Sequence, residues 1–141
     1  MKRYLIQGRE GLDVVRFGQD RADAVARLGG DPAVFRRPDG PEDYFYLWGL
    51  TLSYDDRQRV RFISVELGPE VLYRGVRLLG PSYEDVHRDL TALGLRGDES
   101  EAGIAFNALG FAVLGAPDDP EVHTWGVEVF PPGTEIDLAD Y

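Results

Sequence analysis

The chain has 141 residues, 43% of them hydrophobic and 11% aromatic, and this composition predicts a single folded domain with an apolar core. It contains no cysteine, which excludes a disulfide framework and thiolate chemistry. The 15 Lys and Arg residues against 25 Asp and Glu residues give a net charge of −10, which opposes binding to nucleic acid and to anionic membranes.

The negative charge is unevenly distributed along the chain. Residues 1–70 contain 11 basic and 12 acidic residues, whereas residues 71–141 contain 4 and 13. Such an acidic surface accelerates the encounter with a basic protein, although acidic residues also serve simply to keep a protein soluble. The chain begins with too few aliphatic residues for a secretory signal, and no run approaches the roughly 18 apolar residues of a membrane span. We therefore expect a cytoplasmic protein with no membrane contact.

The first half predicts strands near residues 2–7 and 13–17, a helix over 21–29, and further strands near 43–47, 50–54 and 59–67. The helix is indicated by Asp20 as its N-cap, with Asp23 three residues later to support the cap. Ala24 and Leu28 form its apolar stripe, and a Gly-Gly pair ends it.

The second half repeats this order, with strands near 74–79, 104–107, 110–114 and 122–130 and a helix over 83–93. Ser82 and Asp85 lie 62 residues after Asp20 and Asp23, and Val86 and Leu90 repeat the apolar stripe. The closing strands match at the same spacing. Because alternate strand residues share one face, six of their residues are predicted in the core: Ile63, Val65, Leu67, Trp125, Val127 and Val129.

These correspondences predict an α+β fold made by tandem duplication of a β-α-β-β-β module, with an antiparallel sheet and two helices packed on one face. The modules are predicted at 1–68 and 71–131 within one domain of residues 1–141, joined by a short turn. Residues 132–141 are predicted to be a loosely attached acidic tail. The alternative is a non-repetitive α+β domain whose two capped helices happen to be similar.

Two segments carry a resemblance to known proteins. In residues 18–29 a glycine precedes the capping Asp20, an acidic residue, aliphatic residues and a final Leu-Gly, and residues 80–86 repeat the glycine, the cap and the acidic residues. The chain thus resembles the helix-plus-antiparallel-sheet module of SmpA/OmlA-type assembly lipoproteins, and its tandem arrangement is similar to that of the β-lactamase inhibitor proteins. In size and acidity it is also similar to bacterial toxin-neutralising immunity proteins. These resemblances imply a non-enzymatic scaffold that binds proteins through its sheet.

The sequence contains no catalytic, cofactor or metal signature. His87 and His123 lack the companion ligands of a zinc site. The Asp-Asp pairs at 55–56 and 118–119 are interpreted as turns, because neighbouring carboxylates point apart. Neither a Gly-x-Ser-x-Gly elbow nor a phosphate-binding glycine loop occurs. We therefore predict no enzymatic activity, no metal and no cofactor.

The candidate contact residues are aromatic and acidic. Tyr44, Tyr46 and Trp48 alternate on one face of a predicted strand, and Phe62 is out of phase with the core residue Ile63, so it faces the same open side. Exposed rings of this kind suit a protein interface; the alternative is that they pack under the first helix or in a curve of the sheet. The acidic second half adds three contacts for a basic partner: Asp118, Asp119 and Glu121.

The leading hypothesis is a cytoplasmic, non-enzymatic protein-binding domain, of immunity or inhibitor type, whose partner is a basic protein. One alternative is a small-ligand-binding protein with a pocket lined by Tyr44, Tyr46 and Trp48. The other is a structural module that self-associates edge to edge, and the sequence leaves the oligomeric state open.

Overall fold

A computed structural model describes residues 2–66 and 68–141. The helices are α1 (Arg21–Leu28) and α2 (Tyr83–Ala92), and a 3₁₀ helix, η1 (Leu138–Asp140), lies near the end of the chain. The strands of the first half are β1 (Arg3–Leu5), β2 (Ala33–Arg37), β3 (Gly40–Phe45), β4 (Leu50–Tyr54) and β5 (Val60–Glu66). Those of the second half are β6 (Glu70–Tyr73), β7 (Val76–Arg77), β8 (Asp98–Ser100), β9 (Gly103–Phe106), β10 (Phe111–Leu114) and β11 (Gly126–Val129).

The strands form one large and one small sheet. The large sheet has the order β2-β3-β4-β5-β11-β10-β9-β8, and all its neighbouring strands are antiparallel. The small sheet has the order β1-β6-β7, in which β1 and β6 run parallel. The predicted α+β class with an antiparallel sheet is therefore confirmed.

Strands β5 and β11 lie side by side in the middle of the large sheet and join its two halves. Ile63 lies opposite Val129 and Val65 opposite Val127, and each of these side chains is at most 1% exposed. Since alternate residues of a strand share one face, these pairs form a continuous apolar floor across the junction.

Both helices contribute apolar side chains to the core. Ala24 and Leu28 of α1 and Val86 and Leu90 of α2 are buried, and they belong to the same apolar cluster as Ile63. Their i, i+4 spacing is the one that aligns side chains along one side of a helix. Burying each leucine contributes about 2 kcal/mol to folding, so this packing provides much of the stability of two short helices.

The two helices are capped differently. The Ser82 hydroxyl accepts a hydrogen bond from the Asp85 amide at 3.2 Å, as the sequence predicts. Asp20 has the same extended backbone, but its side chain makes no capping hydrogen bond. Its carboxylate instead lies 3.7 Å from the Arg59 guanidinium. Asp20 is therefore the N-cap residue, as predicted, but its predicted side-chain hydrogen bond is wrong.

Several strand predictions also need correction. The described residues contain no strand at 13–17, where Gly11 and Arg16 form only an isolated bridge. The strand predicted at 43–47 ends at Phe45, and residues 46–49 form a turn. The sequence pattern also misses the edge strand β2. All five of its residues are exposed, so it has no alternation of apolar and polar residues.

Four of the six core residues predicted on the closing strands are buried, two on each strand. Trp125 is the exception, because its side chain is 43% exposed. It precedes β11, which begins at Gly126, so the period of two does not extend to it. Leu67 lies outside the described residues.

A buried ion pair fastens the start of α1 to the sheet. Asp43 is completely buried, and its two carboxylate oxygens accept hydrogen bonds from the Arg21 guanidinium at 2.8 and 2.9 Å. The Tyr54 hydroxyl donates a third at 2.6 Å. Burial, together with the bond to Asp43, raises the pKa of Tyr54. Both oxygens of the Asp43 carboxylate thus accept hydrogen bonds from other side chains of the protein. Such pairing is required for a charged group to be buried.

We predict that Asp43→Asn lowers the free energy of unfolding by about 3 kcal/mol, because it leaves the Arg21 charge without its buried counter-ion. Asp39→Asn is the matched control, since Asp39 is 84% exposed and lies 3.9 Å from Arg61. It should cost less than about 1 kcal/mol. Urea denaturation measures both values, and equal losses would contradict a structural role for the buried pair.

Candidate functional site

We define the rear face as the side of the large sheet opposite the one on which Ile63 and Val65 lie. Strand register places two sets of side chains on it. The first rear surface, on β2–β5, consists of Ala33, Phe35, Arg37, Glu42, Tyr44, Thr51, Ser53, Phe62, Ser64 and Glu66. The second rear surface, on and next to β9–β11, consists of Ala105, Ala112, Leu114 and Phe130, and Glu128 lies at the junction.

The end of the chain covers the second rear surface. Leu138 is only 3% exposed and packs with Ala105, Ala112 and Phe130, with Ile136 against the same cluster. Small alanines beneath the tail allow the chain to lie close to the sheet. The prediction of a loosely attached tail is therefore wrong for residues 136–138.

Asn107 fixes the path of this tail. Its side-chain amide donates to the Ile136 carbonyl at 3.1 Å, and its side-chain oxygen accepts from the Ile136 amide at 2.9 Å. This pair of bonds imitates the pairing of two strands, so the tail is held by its backbone as well as by its apolar side chains.

The first rear surface has no comparable cover in the part of the chain that the structure describes. None of its side chains is fully buried, and Phe35 at its edge is 45% exposed. The two halves of one sheet face thus differ sharply in accessibility.

A carboxylate cluster lies where the two rear surfaces meet. Glu128 is only 9% exposed and lies directly opposite Ser64, whose hydroxyl donates to it. Burial raises the pKa of Glu128; the Ser64 bond opposes this shift, and the charges of Glu42 and Glu66 add to it. This spot therefore favours any group that brings positive charge.

The other two carboxylates lie on the first rear surface, and Glu42 is the one held by its neighbours. Glu42 accepts from Arg37 at 2.6 Å and from the Ser53 hydroxyl at 3.2 Å. Partial burial raises the pKa of Tyr44, and the negative charge of Glu66 raises it further. Glu66 itself is exposed, so its carboxylate is accessible to a partner.

The predicted aromatic set is only partly assembled. Tyr44 and Phe62 lie on the first rear surface, and Phe62 stacks on Phe130 at a centroid distance of 6.1 Å. Tyr46 and Trp48 belong to the turn between β3 and β4 rather than to a strand. Tyr46 is 67% exposed there, so it is free to contact a partner.

Trp48 has a structural role. Its indole nitrogen donates to the Leu28 carbonyl at 2.8 Å at the end of α1, and the Lys2 ammonium lies 3.8 Å from the centre of its ring. The Tyr4 hydroxyl donates to the Trp48 carbonyl at 2.6 Å. Trp48 thus makes several contacts within the protein, and its contact with a partner stays a prediction.

The predicted acidic contacts Asp118, Asp119 and Glu121 lie elsewhere, in the loop between β10 and β11. This loop is attached to the start of α2, where the Glu84 amide donates to the Pro120 carbonyl at 3.0 Å. The acidic residues on the rear face are instead Glu42, Glu66 and Glu128. Strand alternation places Glu66 and Glu128 on this face, but only the β3–β4–β5 pairing brings Glu42 to them.

Comparisons with protein-family models, curated proteins and solved structures find no match. Within residues 2–66 and 68–141, no helix has the length and apolar character needed to cross a membrane. The same residues contain no cluster of three or more His, Cys, Asp or Glu side chains arranged to hold a metal ion.

We predict that Leu138→Ala destabilises the protein by about 2 kcal/mol, because it leaves a cavity between the tail and the sheet. Leu47→Ala is the matched control at a side chain that is 70% exposed, and it should change stability by less than about 0.5 kcal/mol. Chemical denaturation checks both variants. Two equally small effects would show that the tail is not held on the sheet.

We predict that the free energy of unfolding of Glu128→Gln increases relative to that of the wild type as pH rises. A raised folded-state pKa means that the folded protein holds the Glu128 proton above the pH at which the unfolded chain releases it, so wild-type stability falls as pH rises through that window. Glutamine has no proton to release and still accepts from Ser64.

Unfolding free energies at pH 4 and pH 7 provide the measurement, with Glu121→Gln on an exposed loop as the control. The advantage of Glu128→Gln over the wild type should be larger at pH 7. An advantage that is the same at both values, or larger at pH 4, would contradict the burial of an ionisable group there.

Proposed function

We propose that this protein is a non-enzymatic binding domain for another protein and that the first rear surface is its contact surface. The observation that carries the proposal is the difference between the two halves of the rear face. The tail buries Ala105 and Ala112 on one half, whereas on the other half Phe35, Tyr44 and Glu66 are accessible. An accessible sheet face with aromatic rings is a common docking surface.

The partner in this proposal is basic. Glu66 and Glu128 bring negative charge to one place, beside the Glu42–Arg37 ion pair, and the net charge of −10 attracts a basic protein over longer distances. Tyr44 offers a ring face to the flat guanidinium of arginine or the stem of lysine, whereas the Phe35 ring already carries the Arg37 guanidinium at 5.6 Å. We therefore propose an immunity-type or inhibitor-like factor that acts in the cytoplasm by covering a basic surface of its partner.

The proposal includes a tandem duplication, with modules at 1–68 and 71–131. The strand order supports it, because β4, β3 and β2 follow outward from β5 as β10, β9 and β8 follow outward from β11. The helix starts are also tied to the sheet alike, since Asp20 bridges Arg59 as Ser82 bridges His123. The shared apolar cluster of α1 and α2 supports packing of both helices on one face.

Backbone bonds refine the alignment of the two modules. The Gly49 carbonyl accepts from the Glu66 amide at 3.0 Å, and the Gly110 carbonyl accepts from the Phe130 amide at 2.9 Å. Glu66 therefore corresponds to Phe130, a spacing two residues longer than at the helix starts. On this alignment, a charged residue in the first module occupies the position of a buried ring in the second.

The small-ligand alternative is less well supported. The pocket lined by Tyr44, Tyr46 and Trp48 has a volume of about 200 Å³, below the roughly 300 Å³ at which ligand pockets usually begin. Protein binding requires no deep pocket and matches the broad, shallow first rear surface.

We predict that Glu66→Lys abolishes capture of partner proteins from a lysate of the source organism. Asp119→Lys makes the same change of charge on an exposed loop away from the rear face, and it should leave capture intact. Mass spectrometry of proteins retained by the wild type and both variants provides the measurement. Equal retention by all three, or equal loss in both variants, would contradict binding through the first rear surface.

A further inference from the structure

The tail provides an internal example of how this sheet receives a short peptide segment, in which Ile136 precedes the 3₁₀ helix η1 and Leu138 begins it. It lies over Ala105 and Ala112, is bound through Asn107, and packs against Phe130. It makes these contacts with the alternate residues Ile136 and Leu138, separated by the exposed Asp137. A short peptide with one apolar side therefore covers a rear surface in this protein.

The first module has a counterpart for each residue beneath the tail. The Trp48 amide donates to the Phe45 carbonyl as the Leu109 amide donates to the Phe106 carbonyl, both at 2.9 Å, so the turns that follow β3 and β9 are equivalent. This equivalence and the glycine bonds described above assign the counterparts. Four residues of the second module contact the tail: Ala105, Asn107, Ala112 and Phe130. Their equivalents in the first module are, in the same order, Tyr44, Tyr46, Thr51 and Glu66.

The charge of the first rear surface determines what can lie on it. Glu66 stands in the position of Phe130, and Glu42 and Glu128 lie nearby. The tail itself carries Glu135, Asp137 and Asp140 and would be repelled there. A segment with the same apolar spacing but with basic residues between would be attracted.

The tail also lies beside this surface. Phe130, which packs with Leu138 of the tail, stacks on Phe62 of the first rear surface at a centroid distance of 6.1 Å. A segment on the first rear surface would thus lie next to the tail and extend the covered area across the sheet.

We infer that the first rear surface binds a short basic segment of the partner, laid across β3–β5 as the tail is laid across β9–β11. This inference rests on the proposed function and adds the form and chemistry of the bound segment. A lysine or arginine side chain lies opposite Glu66, near the Glu128 carboxylate, and apolar side chains beside it contact Tyr44 and Thr51. Contact with this negative charge gives the binding a marked dependence on salt.

A peptide with the sequence of residues 131–141 and the changes Glu135→Lys, Asp137→Lys and Asp140→Lys is the probe. Titration into the intact protein, followed by fluorescence anisotropy, should show binding that weakens as salt increases. The peptide of natural sequence should bind at least about tenfold more weakly, because its carboxylates face those of the protein.

Variants of the intact protein locate the site. Glu66→Lys and Tyr44→Ala should each weaken binding of the basic peptide by about tenfold or more. Asp119→Lys is the charge-matched control and should bind as the wild type does. Asn107→Ala tests whether the peptide merely displaces the tail, and it should also leave the affinity unchanged. Circular dichroism confirms that each variant is folded.

Failure to bind the basic peptide, or loss of binding in Asn107→Ala but not in Glu66→Lys, would overturn the inference. The capture experiment separates this failure from failure of the proposed function. Capture that depends on Glu66 without peptide binding would leave the first rear surface as a site for a folded partner. If neither measurement depends on Glu66, both proposals fall.

Discussion

The antiparallel pairing of β5 with β11 is the constraint on which the rest of the structure depends. It places Ile63 opposite Val129 on the core side and Ser64 opposite Glu128 on the rear side. A slip of one residue in either strand would turn a carboxylate or a hydroxyl into the core and expose valines. Because a buried unpaired carboxylate costs several kcal/mol, the alternation strongly specifies this register. The same alternation determines which side chains remain available on the rear face.

The difference between the two rear surfaces follows from where the chain goes after each central strand. After β5 it soon enters β6, which pairs with β1 in the small sheet. Tyr4 and Val71 of that sheet pack in the main apolar core with Ile63, so this segment does not cover the rear face. After β11 the chain instead folds back, and Leu138 covers the second rear surface. Two similar surfaces are thus formed, and one covering segment serves only one of them.

The helices could be predicted from neighbouring residues in the sequence. Much of the candidate site, in contrast, depends on contacts between residues that are far apart in the sequence. Caps and i, i+4 stripes locate α1 and α2 to within one residue at each end. The edge strand β2 lacks any burial pattern because it is covered on neither side. Ile136 and Leu138 stand among acidic residues in a stretch that is typical of a solvated tail, and only the alanines beneath them explain their burial. Strand alternation finds Glu66 and Glu128, but the nearness of Glu42 depends on strand pairing that the sequence does not display.

Glu128 connects the stability of the sheet with its proposed binding surface. A carboxylate at the centre of an eight-stranded sheet is desolvated, and the Ser64 hydroxyl is its one hydrogen-bond donor among the described residues. Nearby Glu42 and Glu66 make its charge still more costly, so this position opposes folding at neutral pH. A lysine or arginine brought by a partner would offset that cost in the bound state alone. The buried charge of Glu128 would thus lower the stability of the free protein and not that of the complex. Such a cost is expected at a surface that serves recognition rather than stability.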